Sequence, residues 1–556
     1  MKVFSSLFIF SFLVCSKAIQ AQPEFISPID TPLVLSGNFG EPRGSHFHAG
    51  IDISTNGKIG IPVKAAESGI IYRIKVSNFG YGKAVYIKHH NGYTTVYGHL
   101  SAFTNEIEEY IERHQYKKRS FEVELFPTAT MFKVKKGQII AYSGNSGSSE
   151  APHLHFEIRE SKTEEVLDPS NFNLFEDTVT PVLESLVVYQ LRDALELSRP
   201  ALYLIIRPAD SNWHKLTIPE GRYVFGVSIR DYVKGYNHFL YPTSLDLHWN
   251  NEKLYARNTH RFTFKEARFV PAAIDYPLSS IHNSYYEKCF WSNGIQNLRF
   301  VDVSSSNGIV EVKSTGMDTL KINISDAHGN TAVHKMLVSG SVASSTDSFQ
   351  SLCTQKGNVE VFPGLTNTYS DENCTVDFGL QAFFEPVQLN VSSWLDEDAF
   401  PVVRIDNLGC DQKVNTKIGL SINIPSHLID YNLSKKFYIK CSDDESSVGV
   451  VSNNQIKTFV RNTGTFTIDV DTTAPLIKNL EWSKLKICAE IFDLESGIES
   501  YTAYVDNAWF LMEYDPNTGK ICGKLSKFPV NQKLDFKLIV RDKVGNLTEI
   551  KKTIKK

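Results

Sequence analysis

From Pro23 to the end of the chain, apolar residues fall in short alternating runs rich in Val, Ile, Tyr, Phe and Thr, broken by glycine, asparagine and proline. A period of two turns successive side chains to opposite faces of a sheet and does not supply the stripe a packed helix needs. The expected fold class is therefore mainly β. At 556 residues the chain is long enough for three or four domains of ~150 residues each. With 42% hydrophobic and 22% charged residues it should bury real cores. The net charge of −4 gives no basic excess that would suit nucleic acid.

The one clear break in the β pattern is the charged stretch between Asn105 and Glu124, with Glu106, Glu108, Glu109, Glu112, Lys117, Lys118 and Arg119. It reads as an inserted helix whose charges form a solvated face or the wall of a groove. Ahead of it, Lys83 to His90 and Tyr93 to Leu100 are strand-like runs joined by Asn91-Gly92, a strong hairpin signal. Further along, a weak internal repeat occurs. Asp177-Thr-Val-Thr-Pro181 and Asp471-Thr-Thr-Ala-Pro475 each open a segment that later reaches an Asp-to-Asn turn, Asp326 to Asn330 and Asp542 to Asn546. The expected layout is a leader over 1–21, a first domain over 22–175, a β-sandwich-like domain over 176–345, a β-rich domain over 346–470, and an immunoglobulin-like sandwich over 471–556.

At the N-terminus, Lys2 precedes a short apolar run from Val3 to Val14 and small or polar residues up to Ala21, the layout of a secretory signal peptide. The alternative is a lipid anchor at Cys15. No later stretch reaches the ~20 apolar residues of a membrane-spanning helix. An exported chain acts in the periplasm, the cell envelope or outside the cell, where disulfides are permitted. None of the eight cysteines lies between residues 16 and 288, and no C-x-x-C pair suggests a cysteine zinc site.

Histidine is where the chemistry concentrates, since eight of the 16 fall before residue 160. Four pieces stand out: Arg43-Gly-Ser-His-Phe-His48-Ala-Gly-Ile-Asp52, Tyr97-Gly-His99-Leu100, Ser143-Gly-Asn-Ser-Gly147-Ser-Ser149 and Pro152-His153-Leu-His155-Phe-Glu157. In an extended His48–Asp52 segment, His48, Gly50 and Asp52 share a face, with Gly50 leaving room for an ion. The same period turns His153 and His155 one way and Leu154 and Phe156 into a core. Two imidazoles and a carboxylate suit catalytic zinc, because three protein ligands leave one tetrahedral position open to water. Further histidines can take the proton of that water or stabilise the oxyanion.

These motifs, with Gly37-Asn-Phe-Gly40 before them and Asp168-Pro169 after, resemble the lysostaphin/LytM-type family of zinc peptidases over about 150 residues. The resemblance implies a compact antiparallel, barrel-like β domain with a groove. It implies one Zn2+ per chain held by His48, Asp52 and His155, with His153 as general base and His99 hydrogen-bonding the transition state. It implies hydrolysis of peptide cross-links in bacterial peptidoglycan, with a D-alanyl cross-link favoured over a glycine bridge. The helical insertion departs from the family pattern. The competing reading is a catalytically idle scaffold that binds peptidoglycan or activates another hydrolase. Arg43 is a candidate for a substrate carboxylate, or else for an internal ion pair. His46, His89, His90 and His114 read as surface or structural residues, and Glu157 as a partner behind the ligands.

Overall fold

The computed structural model describes residues 24–556 apart from 31–32, 193–201, 212, 233–237, 343–348, 352–354, 409–412, 429–435 and 443–447. The expected leader, Cys15, Cys353 and Cys410 lie outside the described residues. Strands dominate, and among the described residues no helix is long and apolar enough to cross a membrane.

The first domain is built on β1 (Leu35–Gly37), β2 (Ile51–Ser54), β3 (Gly69–Val76), β4 (Lys83–His89), β5 (Tyr93–Phe103), α1 (Asn105–Lys118), β6 (Ile139–Ser143), β7 (His153–Glu160) and β8 (Val166–Leu167). Its sheet runs β1–β2–β7–β5–β4–β3, all antiparallel, and does not close into a barrel. Alternation explains β7. Leu154, Phe156 and Ile158 enter the core, which leaves His153, His155, Glu157 and Arg159 on the other face. The Asn91-Gly92 hairpin forms, with Gly92 at φ +88° and Lys88 opposite Thr94.

The insertion is the helix α1, closed by Arg119 in the left-handed region and anchored by Ile107, Tyr110 and Ile111. Its polar face is not simply solvated. Glu112 meets Lys527 at 2.8 Å, and the ring of Tyr116 meets that of Trp509 edge-on at 5.3 Å. The last β unit thus folds back onto the first domain.

Three layered pairs of sheets follow. Strands between 182 and 351 form a seven-stranded and a six-stranded sheet, those between 359 and 470 two five-stranded sheets, and those between 476 and 555 two four-stranded sheets. Each pair encloses its own core, for example Val188 and Leu247, Leu389 and Leu420, and Ile491 and Leu538. In the last pair Cys488 and Cys522 stand opposite one another and are disulfide-bonded.

Two details cut across the layout read from the sequence. Gln350–Ser351 pairs with Tyr203 and Leu202, so it belongs to the second unit. β9 (Arg261–Phe262), also from the second unit, pairs with β8 and joins the sheet of the first domain. Around it Phe39, Phe47 and Val166 share a core with Phe262, Val270 and Ile295. Alternation cannot reveal such a seam, because a Phe packed across units looks like any other core residue.

Candidate metal centre and active site

The site lies where β2, β7 and the middle of β5 meet. His155 pairs with Asp52 on one side and with Gly98 on the other, so the register of three strands converges on one residue. His48 lies in the irregular segment before β2, not in a strand, yet it reaches the same point. His48 Nε2 is 3.1 Å from His155 Nδ1 and 3.2 Å from Asp52 Oδ1, and His155 Nδ1 is 2.9 Å from that oxygen. His48, Asp52 and His155 are all buried.

Gly50 serves a purpose other than the room for an ion expected from the sequence. A Cβ there would stand 2.3 Å from the carbonyl oxygen of Phe156 and 2.8 Å from Glu157 Cγ. Its bareness lets the segment lie against β7 and brings Asp52 to His155.

The outward nitrogen of each imidazole has an acceptor. His48 Nδ1 is 2.8 Å from the Asn38 carbonyl, and His155 Nε2 is 2.9 Å from Glu157 Oε1. With those outward nitrogens donating, His155 Nδ1–H donates to Asp52 Oδ1, and a cation taking the place of that proton would meet the lone pairs of His48 Nε2 and His155 Nδ1 at this point. Three electron-pair donors converging on one point are a metal site in form, and these three residues could hold a metal ion. Burial pulls His155 down, but its bonds to Asp52 and Glu157 outweigh that and push it up to about 9. A positive charge is favoured at this point, which a cation would supply.

Behind His155 stands a support the sequence showed only in part. Glu157 is fully buried and accepts from His155, the Tyr81 hydroxyl and Arg159, whose Nε is 2.6 Å away. Burial alone would raise Glu157, yet Arg159 and His155 hold it down to about 2. Tyr81 also stacks on the His155 ring, with centroids 5.0 Å apart. Arg159 continues the same face of β7 and was legible by its spacing. Tyr81 comes from a loop, and Asn38 acts through its carbonyl, so neither carries a signal in its side-chain type.

Arg43 forms an ion pair with Asp52. Its Nη2 lies 2.6 Å from Asp52 Oδ2, and a Cβ at Gly37 would meet that nitrogen at 2.5 Å. The guanidinium occupies one Asp52 oxygen while the other faces the histidines.

His153 and His99 lie beside this centre, their rings 4.7 Å apart. His153 Nδ1 is 2.8 Å from the Ala151 carbonyl. Its Nε2, 3.4 Å from Asp52 Oδ1, is buried and makes no hydrogen bond. His99 stands at φ +57°, where the pairing of β4 with β5 slips register, a bulge that aims the ring at the site. Its Nδ1 is 2.8 Å from the Ser146 carbonyl in the glycine/serine loop. Burial and the nearby charges of His155 and His153 push His99 down to about 3, so it is neutral with Nε2 as an acceptor.

Among the other histidines, His46 is exposed and lies outside the cluster. His89, expected at the surface, is buried and tied to Ser68 O and Thr95 Oγ1. His90 is exposed, and His114 is half-buried with Nδ1 against the Tyr110 carbonyl.

Residues 46–116 and 128–169 match the profile of peptidase family M23. The first domain is of the M23 type. The match runs through residue 116 and so takes in most of α1, which corrects the expected insertion over 105–124: the departure is confined to 117–127, from the end of the helix onward. The chain is 35% identical over 113 residues to the DD-carboxypeptidase/endopeptidase Mpg of Neisseria meningitidis serogroup B, 20% of each chain. It is 32% identical over 139 residues to the peptidoglycan DD-endopeptidase ShyA of Vibrio cholerae, 24% of this chain and 26% of that one. The solved catalytic domain of lysostaphin from Staphylococcus simulans is 31% identical, covers 24% of this chain and 87% of its own, and gives a TM-score of 0.19. The chain thus spans about a fifth to a quarter of the length of these two curated relatives.

Proposed function

We propose that the chain is a zinc-dependent endopeptidase that hydrolyses peptide cross-links of bacterial peptidoglycan, with one zinc per chain, in the cell envelope or outside the cell. The observation that carries this reading is the pair of imidazoles, each held by an outward hydrogen bond so that its inward nitrogen lies 2.9 to 3.2 Å from Asp52 Oδ1. The similarity of the M23 domain to relatives named as peptidoglycan and DD-endopeptidases supports the substrate class.

His48, Asp52 and His155 would hold the zinc, and Glu157 and Arg43 would fix the orientation of His155 and Asp52. When bound there, zinc lowers the pKa of a coordinated water towards ~7 and polarises the scissile carbonyl. His153 Nε2, buried and free of hydrogen bonds, is the general base that takes the water proton. A neutral His99 has spent its N–H on Ser146, so its Nε2 first acts as an acceptor that orients the water. It can donate to the transition state only after gaining a proton.

The test is release of new amino termini from purified peptidoglycan by the full chain. Activity in the wild type that is lost in His153→Ala with zinc retained supports the reading. A zinc-loaded wild type that releases no amino termini overturns it in favour of a scaffold.

A further inference from the structure

The internal repeat builds the same turn twice, once at Asp326–Asn330 and once at Asp542–Asn546, and each lies beside the Asp that opens its segment. In the first, Asp326 Oδ1 accepts from the backbone N–H of His328 and Asn330 at 2.8 and 2.9 Å. In the second, Asp542 Oδ1 accepts from Val544 and Asn546 at 3.0 and 2.7 Å. The two turns differ at the second carboxylate oxygen. Asn330 Nδ2 donates both to the Asp177 carbonyl at 3.0 Å and to Asp326 Oδ2 at 2.7 Å. Asn546 Nδ2 makes the matching bond to the Asp471 carbonyl at 2.9 Å, but its other contacts go to Asp471 Oδ1 and Thr473 O at 3.1 and 3.0 Å. Asp542 Oδ2 is thereby left buried with no hydrogen-bond partner, on a residue only 1% exposed. An ionised oxygen sealed from water without a donor is costly, and such groups are ordinarily paired or metal-bound.

The surroundings sharpen the contrast. The first cluster is Asp177, Asp326 and His328, whose Nε2 is 3.1 Å from the Phe175 carbonyl. The second is three carboxylates, Asp471, Asp493 and Asp542, each offering an oxygen within 4.8 Å of the others. Oxygens bound to one calcium at about 2.4 Å lie no further apart than twice that distance, so the three carboxylates are close enough to share an ion. Burial and the charges of Asp471 and Asp493 raise Asp542, so the carboxylates repel one another as they stand. Lys436 lies at the edge of the cluster, bonded to Asn546 Oδ1 and the Val544 carbonyl.

We propose that Asp471, Asp493 and Asp542 form a calcium site, and that Asp177, Asp326 and His328 do not. The all-oxygen ligand set on irregular turns suits a hard cation that tolerates flexible geometry, and it lacks the nitrogen and sulfur that zinc prefers. The ion would tie the segment after the strand Gly464–Val470 to two turns of the last unit. That unit rests on α1 of the M23 domain, so calcium would stiffen the contact between the two ends of the chain. This site is independent of the peptidase reading.

The experiment uses the full chain, stripped on a chelating resin, reloaded with one equivalent of zinc and dialysed against calcium chloride. One calcium per chain is expected, with a dissociation constant on the order of 10⁻⁴ M, as in extracellular calcium modules. Asp542→Asn and Asp493→Asn should each weaken it at least about tenfold, while Asp326→Asn leaves it unchanged. The half-buried Asp493 carries the comparison if Asp542→Asn does not fold. No calcium bound by the wild type at about 10 mM overturns the proposal, as does uptake that survives both substitutions or is abolished by Asp326→Asn.

Discussion

Replacing Gly50 with alanine tests whether the approach of β2 to β7 builds the metal centre. The new methyl carbon would stand 2.3 Å from the Phe156 carbonyl oxygen, 2.8 Å from Glu157 Cγ and 3.0 Å from the Phe156 carbonyl carbon. Carbon contacts become favourable only at about 3.5 Å, so the segment must retreat by about 1 Å. Two of the three neighbouring atoms are backbone of a central strand, which cannot give way like a side chain. Asp52 is opposite His155 in the ladder two residues on, so the retreat opens the 2.9 Å gap between Asp52 Oδ1 and His155 Nδ1. Metal–ligand distances tolerate only about ±0.2 Å. A shift several times larger should lower zinc affinity on the order of 100-fold, and the overpacking should cost about 1–3 kcal/mol of stability. Zinc affinity by chelator competition and the thermal midpoint read both effects. Gly44→Ala is the control, because a Cβ there meets nothing within 4 Å. Wild-type zinc affinity in Gly50→Ala would refute the argument.

Three other substitutions probe separate parts of the account. Glu157→Gln removes the buried carboxylate that Arg159 and His155 share, so zinc affinity should fall about 10–100-fold and stability by about 3 kcal/mol, measured by competition and denaturant unfolding. Phe262→Ala removes a fully buried ring that stacks on Phe39 at 4.7 Å, and should cost about 3–5 kcal/mol although it lies outside the M23 match. An unchanged unfolding midpoint would show that the two units do not share a core. Burial, with the charges of Asp326 and Asp177, raises Asp231 from 3.8 to about 7. Its protonated form is favoured on folding, so that stabilisation is complete below pH 3.8 and is lost as pH rises through about 7. Asp231→Asn should therefore gain on the wild type between pH 5 and pH 8 by up to about 4 kcal/mol in urea titrations.

Much of the site was legible because its chemistry rides on a period of two. The alternation in β7 fixed which histidines face together, and the rarity of histidine made the pattern stand out. The same reasoning misjudged Gly50, because a glycine between two ligands shows that space is needed without showing what fills it. His89 was misplaced for a related reason: it ends a strand, but it is held between Thr95 across the hairpin and Ser68 from the preceding segment. The charges of α1 read as solvated because their partners, Lys527 among them, lie some 400 residues away in sequence. The mainly β character of the remainder followed from alternation. The shared core around Phe262 and the unequal turns of the repeat depend on tertiary packing, which no local pattern encodes.

The most direct test of the central claim is zinc counted per chain by mass spectrometry of metal content, in the wild type, His155→Ala and His153→Ala after equal exposure to zinc. The account predicts one zinc in the wild type, none in His155→Ala and one in His153→Ala. No zinc in the wild type, or zinc retained at full stoichiometry in His155→Ala, would contradict it.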